Sequence, residues 1–145
     1  MHPLRGLAES RGHVADVADF IRVYLRQSTA GEALRTFGNP AWEANMKFGV
    51  TIPNNWGIEE PQQVLACGPV AEELGYDSLW VMDHLFNNGY IRERLDDKPY
   101  YHPLATLSYL AATTRRVVLG TSVLVLPYHN PVELAKYTAT LDHMS

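Results

Sequence analysis

The sequence predicts an α/β protein in which a parallel sheet lies under helices, and two observations lead to this fold class. The most apolar stretch, residues 117–126, is rich in β-branched residues and does not alternate apolar with polar side chains. That pattern is typical of a strand buried on both faces. Strand-like and helix-like patterns also follow one another in the order β-α-β-α-β-α, which is typical of parallel sheets joined by helical crossovers.

The composition limits the classes of function. The chain has 145 residues, of which 46% are hydrophobic and 19% charged, so it can form one ordinary domain with a core. A net charge of -4 with scattered arginines gives no basic surface for nucleic acid. The single cysteine, Cys67, lies in a helical pattern and is predicted to be a buried, inert thiol, and no metal site is predicted. No apolar run approaches the roughly 20 residues of a membrane span, so we predict a cytoplasmic protein.

Residues 1–45 differ from the rest and are predicted to form a separate leader. An amphipathic helix is indicated by apolar residues at helical spacing, namely Val14, Val17, Ala18, Ile21 and Leu25. Turn residues at 28–31 and 38–40 then interrupt the pattern. A fresh strand pattern begins at Met46, so the alternative is that the natural protein starts there. On either interpretation, residues 46–145 form the folded unit.

The first βα unit is predicted from residue 46 onward. Residues 46–52 form a short strand ended by Pro53, and the turn residues 54–57 form the loop after it. A helix then begins at Pro61 and continues to about Leu74. The Gly68-Pro69 pair lies inside this helix, and because proline removes a backbone donor, we expect a kink or a break there.

The second and third units follow the same order. Residues 78–82 are the second strand, and residues 85–102 form a long connection without clear periodicity. A helix begins at Pro103 and ends near the basic pair at 115–116. In the third strand, the small residues 120–122 suggest a bulge or the close approach of a ligand. Asn130, Pro131 and Glu133 then give the clearest helix start in the chain.

Candidate functional residues lie where the strands end, because the βα loops of a parallel sheet gather at that edge. Asp83 and His84 follow the second strand, and a histidine beside a carboxylate can serve as an acid or a base near neutrality. A histidine at a strand end is more often a capping or core residue than a catalytic one, so the residues alone leave both roles open. His102 and His129 flank helix starts, where local hydrogen bonding accounts for them, and they are given no catalytic role. The aromatic residues of the loops are left open between packing and ring stacking.

Several motifs in order resemble the bacterial luciferase-like monooxygenase family, whose members use a flavin or the deazaflavin coenzyme F-420. The stretches that carry the resemblance are residues 46–50, 72–84, 102–107, 119–124, 127–131 and 139–142. The resemblance covers residues 46–145 and excludes the leader. Within the family, the chain is most similar to the branch that uses coenzyme F-420.

The resemblance implies a TIM (β/α)8 barrel oxidoreductase that transfers hydride at the C-terminal mouth of the barrel. His84 would be catalytic, contacting the cofactor ring or moving a proton, while Asp83 would hold the cofactor or the histidine. Thr121, Ser122 and Val123 would also bind the cofactor, with a non-proline cis peptide bond between Ser122 and Val123. The implied cofactor is coenzyme F-420, with FMN and molecular oxygen as the alternative of a true monooxygenase.

The family also implies that this chain carries only about the first three of eight βα units, since members continue beyond the position of Ser145. We therefore expect the chain alone to be inactive and to self-associate through an unclosed sheet. The whole enzyme would act on a small molecule, form a homo-oligomer, and bind neither nucleic acid nor membrane. A third interpretation is a non-catalytic remnant that pairs its sheet with another chain.

Overall fold

A computed structural model describes residues 46–145, so the predicted leader helix lies outside the described residues. Three short strands form one parallel sheet: β1 (Gly49–Thr51), β2 (Ser78–Val81) and β3 (Val118–Thr121). Their order is β1-β2-β3, with Val50 beside Leu79 and Leu79 beside Leu119. The predicted parallel sheet is confirmed within this part of the chain.

Within residues 46–145, four α-helices accompany the strands: α1 (Pro61–Glu73), α2 (Gly89–Leu95), α3 (Pro103–Thr113) and α4 (Pro131–Met144). Three of them were predicted from the sequence. The start of α4 is confirmed in detail, because the Asn130 side chain accepts hydrogen bonds from the backbone N–H groups of Val132 and Glu133. The short helix α2 lies inside the connection that sequence periodicity left unassigned.

The third strand is shorter than predicted. It ends at Thr121, and a 3-10 turn occupies Leu126–Tyr128. Beyond Thr121, the N–H of Ser122 still bonds to the Val81 carbonyl at 2.8 Å, but the N–H of Val125 bonds to a side chain, the Asp83 carboxylate, at 2.9 Å. The apolar run therefore leaves the sheet because one of its backbone donors has a partner outside the strand ladder.

Helix α1 runs unbroken through Gly68 and Pro69, so of the predicted kink or break, the break is wrong. Gly68 is buried where α1 packs on α3, and a Cβ at this position would lie 2.4 Å from Cδ2 of Leu110. The glycine is therefore the residue that lets the two helices approach closely. Packing against α3 holds the helix in place despite the donor that proline lacks.

The core lies between one face of the sheet and the helices α1 and α3. Its buried apolar side chains are Ile52, Val64, Cys67, Ala71, Leu79, Val81, Leu107 and Leu110. Cys67 is buried as predicted, and desolvation raises the pKa of its thiol to about 12 despite a backbone hydrogen bond, so the thiol is not ionised at neutral pH.

The other face of the sheet is open, so the prediction that the third strand is buried on both faces is wrong for the described residues. Val118 is 65% exposed and Trp80 is 37% exposed. The Trp80 ring lies over Gly120, where a Cβ would be 2.6 Å from Cζ3 of the indole. The glycine in the small-residue patch thus accommodates a neighbouring aromatic ring, with no ligand required.

Glu72 joins the C-terminal end of α1 to the segment that enters β3. Its carboxylate accepts hydrogen bonds from the N–H groups of Arg115, Arg116 and Val117 at 2.8, 2.6 and 3.2 Å. Desolvation opposes ionisation of this carboxyl, but the three donors outweigh it and lower its pKa. A charged side chain therefore ties the segment between α3 and β3 to the end of α1.

Candidate functional site

Asn54 fixes the C-terminal ends of β1 and β2 relative to each other. Its side chain is fully buried; its oxygen accepts from the Met82 N–H at 3.0 Å, and its Nδ2 donates to the Met82 carbonyl at 2.7 Å. Nδ2 also donates to the Tyr101 carbonyl at 2.8 Å, and the Tyr101 N–H returns a bond to the Asn54 carbonyl at 2.8 Å. The amide thus substitutes for strand pairing beyond β2, directly before Asp83 and His84.

Asp83 is a buried carboxylate with two partners from beyond β3. Its side chain is 3% exposed, and Oδ2 accepts from the Val125 N–H at 2.9 Å and lies 3.1 Å from Nε2 of His129. Of the two roles that the family resemblance implied, orienting His84 is not what this geometry shows, because these hydrogen bonds of Asp83 go to Val125 and His129. Its predicted role in holding a cofactor stays a prediction.

His84 follows Asp83 and packs against the Tyr100 ring, with ring centroids 5.6 Å apart and planes at 41°. Its Nε2 is buried and has no hydrogen-bond partner among residues 46–145. A buried polar atom without a partner is costly, by about 1–3 kcal/mol, unless another group supplies the bond. The side chain predicted to be catalytic therefore presents an unused hydrogen-bonding atom.

Asn55 and Tyr100 extend the polar region beside His84. The Asn55 Oδ1 atom is also buried without a partner among the described residues, while its Nδ2 lies 2.8 Å from the Met82 sulfur. Arg94 of α2 donates to the Asn55 carbonyl oxygen. Burial raises the pKa of the Tyr100 hydroxyl, and the nearby Tyr90 and Asp83 add to the rise. Tyr100 is therefore a neutral hydrogen-bonding group at neutral pH.

Thr121, Ser122 and Val123 lie at the end of β3 on the same edge of the sheet. A cis peptide bond joins Ser122 to Val123, as the family resemblance implied. Thr121 is half-buried, whereas Ser122 and Val123 are exposed. The structure thus brings the predicted site residues to one edge of the sheet, and their binding roles stay predictions.

The sequence interpretation missed His129 and Arg94. Local hydrogen bonding at a helix start does not account for His129, because its Nε2 meets a carboxylate 46 residues earlier in the chain. The signal that could have found it is topological, since residues that follow two neighbouring parallel strands meet at one edge. His102 joins the same group through an edge-to-face contact with His129, with ring centroids 6.1 Å apart.

The described residues hold no cluster of three or more His, Cys, Asp or Glu side chains arranged for a metal ion. None of the helices in these residues combines the length and the apolar composition that a membrane span requires.

Comparison with known proteins decides the family. The sequence profile of the luciferase-like monooxygenases matches residues 46–145. The chain belongs to this family. The match begins at the residue where the strand pattern begins, so the family region and the described domain coincide.

Three relatives illustrate the range of the luciferase-like monooxygenases. A Mycobacterium tuberculosis protein named as a coenzyme F-420-dependent oxidoreductase is 30% identical over 71% of this chain and 25% of its own length. An F-420-dependent glucose-6-phosphate dehydrogenase of Microbacterium testaceum is 33% identical over 66% of this chain and 29% of its own length. The alkanal monooxygenase alpha chain of Photorhabdus laumondii is 28% identical over 69% of this chain and 27% of its own length. The chain therefore spans about a quarter of the length of the curated relatives that it matches.

The residues at this edge fit a flavin-type ring in their chemistry. The ring system of such a cofactor carries carbonyl oxygens and ring nitrogens, and the buried Asn55 Oδ1 and His84 Nε2 are two polar atoms that need partners. Backbone approaches a planar ring most closely where side chains do not intervene, and the exposed Ser122–Val123 peptide lies on the same edge. The unpaired atoms and the family membership are therefore both compatible with a flavin-type cofactor at this edge.

Proposed function

We propose that this chain supplies part of the cofactor site of a coenzyme F-420-dependent oxidoreductase of the luciferase-like family, acting on a small organic molecule. The observation that carries the proposal is the buried, unpartnered Nε2 of His84 at the C-terminal edge of the sheet. It is supported by relatives whose names specify F-420 dependence.

Each residue of the edge has a role in this proposal. His84 would hold or move a proton at Nε2 beside the cofactor ring, and Asn55 Oδ1 would accept a hydrogen bond from the ring. Thr121, Ser122 and Val123 supply one wall of the ring site. Asp83 is a buried acceptor that fixes the segment after β3 through the Val125 N–H. When bound, the deazaflavin supplies the hydride chemistry, while these residues bind, orient and protonate.

Binding to the chain itself is the first test. Oxidised coenzyme F-420 is titrated into the 145-residue chain, and binding is followed by the cofactor's fluorescence. His84→Ala should weaken binding measurably, whereas His143→Ala, an exposed histidine of α4, should not. Equal binding by the wild-type chain and His84→Ala would count against the proposed contact.

The catalytic part of the proposal needs an enzyme with the complete barrel. In a full-length family member that carries these residues, His84→Ala should lower turnover by about a hundredfold and affect cofactor affinity less, because acid–base groups contribute at least that factor. Unchanged turnover would remove His84 from the mechanism.

A monooxygenase is the second candidate, and the similarity to an alkanal monooxygenase alpha chain favours it. Its cofactor in this proposal is reduced FMN, which reacts with molecular oxygen. Parallel anaerobic titrations with reduced F-420 and reduced FMN separate the two candidates by the cofactor that binds more tightly.

A further inference from the structure

Three histidines, His84, His102 and His129, lie at the C-terminal edge of the sheet, but only the first has a role in the proposed function. His129 is 13% exposed, and its Nε2 lies 3.1 Å from Oδ2 of Asp83. Because a carboxylate oxygen accepts, Nε2 carries the hydrogen in this contact. The ring therefore acts as a donor to a carboxylate that is almost completely buried.

The second partner of that carboxylate gives the contact its consequence. The same oxygen, Oδ2, accepts from the N–H of Val125, two residues after the Ser122–Val123 peptide. Asp83 also directly precedes His84 in the chain. One carboxylate thus connects the residue expected to handle the proton with the backbone expected to face the cofactor.

We propose that His129 is a positioning residue of the cofactor site, holding the Asp83 carboxylate so that the 122–125 backbone and His84 keep a fixed mutual position. This inference rests on the proposed function and extends it to a residue that makes no contact with the reacting atoms. A buried carboxylate needs charge-assisted donors, and His129 supplies one of its two. Without His129, the Asp83 carboxylate keeps only the Val125 N–H of these two donors. Because a buried carboxylate with fewer donors is less stable, its side chain should turn toward solvent more often.

The variants follow from the geometry of the contact. His129→Leu removes the donor and keeps similar bulk. His129→Gln places an amide N–H donor at nearly the reach of Nε2, while His129→Asn is shorter and should not reach. His143→Leu makes the same chemical change on the exposed face of α4 and serves as the matched control.

The first readout is hydrogen–deuterium exchange of peptides from the 145-residue chain that contain Val125, which does not depend on any ligand. His129→Leu and His129→Asn should speed exchange there by roughly tenfold, corresponding to loss of a bond to a charged group. His129→Gln should restore protection to within about threefold, and His143→Leu should leave exchange unchanged. If His129→Leu fails to fold, the comparison between His129→Gln and His129→Asn carries the test.

The second readout is affinity for oxidised coenzyme F-420, measured by fluorescence. It should fall about tenfold in His129→Leu and recover in His129→Gln, a rescue that a merely space-filling role of the ring would not give. A wild-type chain that binds neither F-420 nor FMN would contradict the proposed function. The exchange data would still test whether His129 and Asp83 hold the 122–125 backbone in place. Unchanged Val125 exchange in both His129→Leu and His129→Asn would overturn the positioning role, as would cofactor affinity that is equal in wild type and His129→Leu.

Discussion

Replacing Asn54 should lower the stability of the domain more than replacing an exposed polar residue. Its side-chain amide takes the place of a neighbouring strand by bonding to backbone groups. The Asn54 amide makes three hydrogen bonds to backbone groups, two to Met82 and one to Tyr101. Each is worth about 1 kcal/mol net, and truncation also leaves buried backbone groups without partners, at about 1–3 kcal/mol each where water cannot reach. Asn54→Ala should therefore reduce the free energy of unfolding by at least about 3 kcal/mol, a large part of the 5–15 kcal/mol of an ordinary domain.

Asn54→Asp sharpens the test, since it preserves shape and the bond from the Met82 N–H. The donor Nδ2 becomes a second oxygen that faces the Met82 and Tyr101 carbonyls, 2.7 and 2.8 Å from the original nitrogen. Acceptor against acceptor is repulsive, so Asn54→Asp should be at least as destabilising as Asn54→Ala.

Asn87 provides a matched control for Asn54. Its Nδ2 also donates to two carbonyls, those of Asp96 and Lys98, each at 3.0 Å, but in an exposed setting. Water can replace those bonds, so Asn87→Ala should cost less than about 1 kcal/mol. Urea unfolding followed by circular dichroism, at one protein concentration for all variants, measures the differences. Equal costs for Asn54→Ala and Asn87→Ala, or a wild-type stability for Asn54→Asp, would refute the reasoning.

Three further predictions concern stability and association. Glu72→Gln should cost about 1 kcal/mol at pH 7, because the carboxylate that accepts three backbone N–H bonds is lost. Since the folded pKa of Glu72 is lowered, the difference from wild type should shrink as the pH falls through the usual range of a glutamate and should be lost below the folded pKa. Urea titrations at several pH values, with the exposed Glu73→Gln as control, check this, and a gap that stays constant as the pH is lowered would contradict it. Deleting residues 1–45 should leave the fold and the thermal stability of residues 46–145 nearly unchanged, since the described core is formed by residues 52–111. Thermal melts followed by circular dichroism check this, and a large loss of stability would show that the leader belongs to the fold. The chain should self-associate through the open sheet face. Val118→Glu should therefore reduce the mass measured by light scattering, while Val132→Glu on α4 should not. A monomeric wild-type chain would count against this self-association.

The connection between β2 and α3 shows where sequence patterns lose their power. Its helix α2 has only seven residues, with Ile91 and Leu95 as the buried positions. Two apolar residues cannot define a helical period, so the sequence pattern predicts no helix in this segment. The predicted end of the third strand is wrong for a different reason. The apolar run continues to residue 126, but the Val125 N–H donates to the Asp83 side chain instead of to a neighbouring strand.

The sequence by itself determined the order of the three strands and the three longer helices, the parallel sheet, the start of α4 at Asn130 and the burial of Cys67, because each depends on local patterns or on the sequence of connections. It also placed Asp83 and His84 at the C-terminal edge of the sheet, since strand ends can be found from the strands. Only the tertiary structure decided which partner each side chain at that edge takes. Asp83 bonds to Val125 and His129 rather than serving its neighbour His84. A hydrogen bond over 46 residues depends on how two crossovers bring loops together, and no local pattern records that distance.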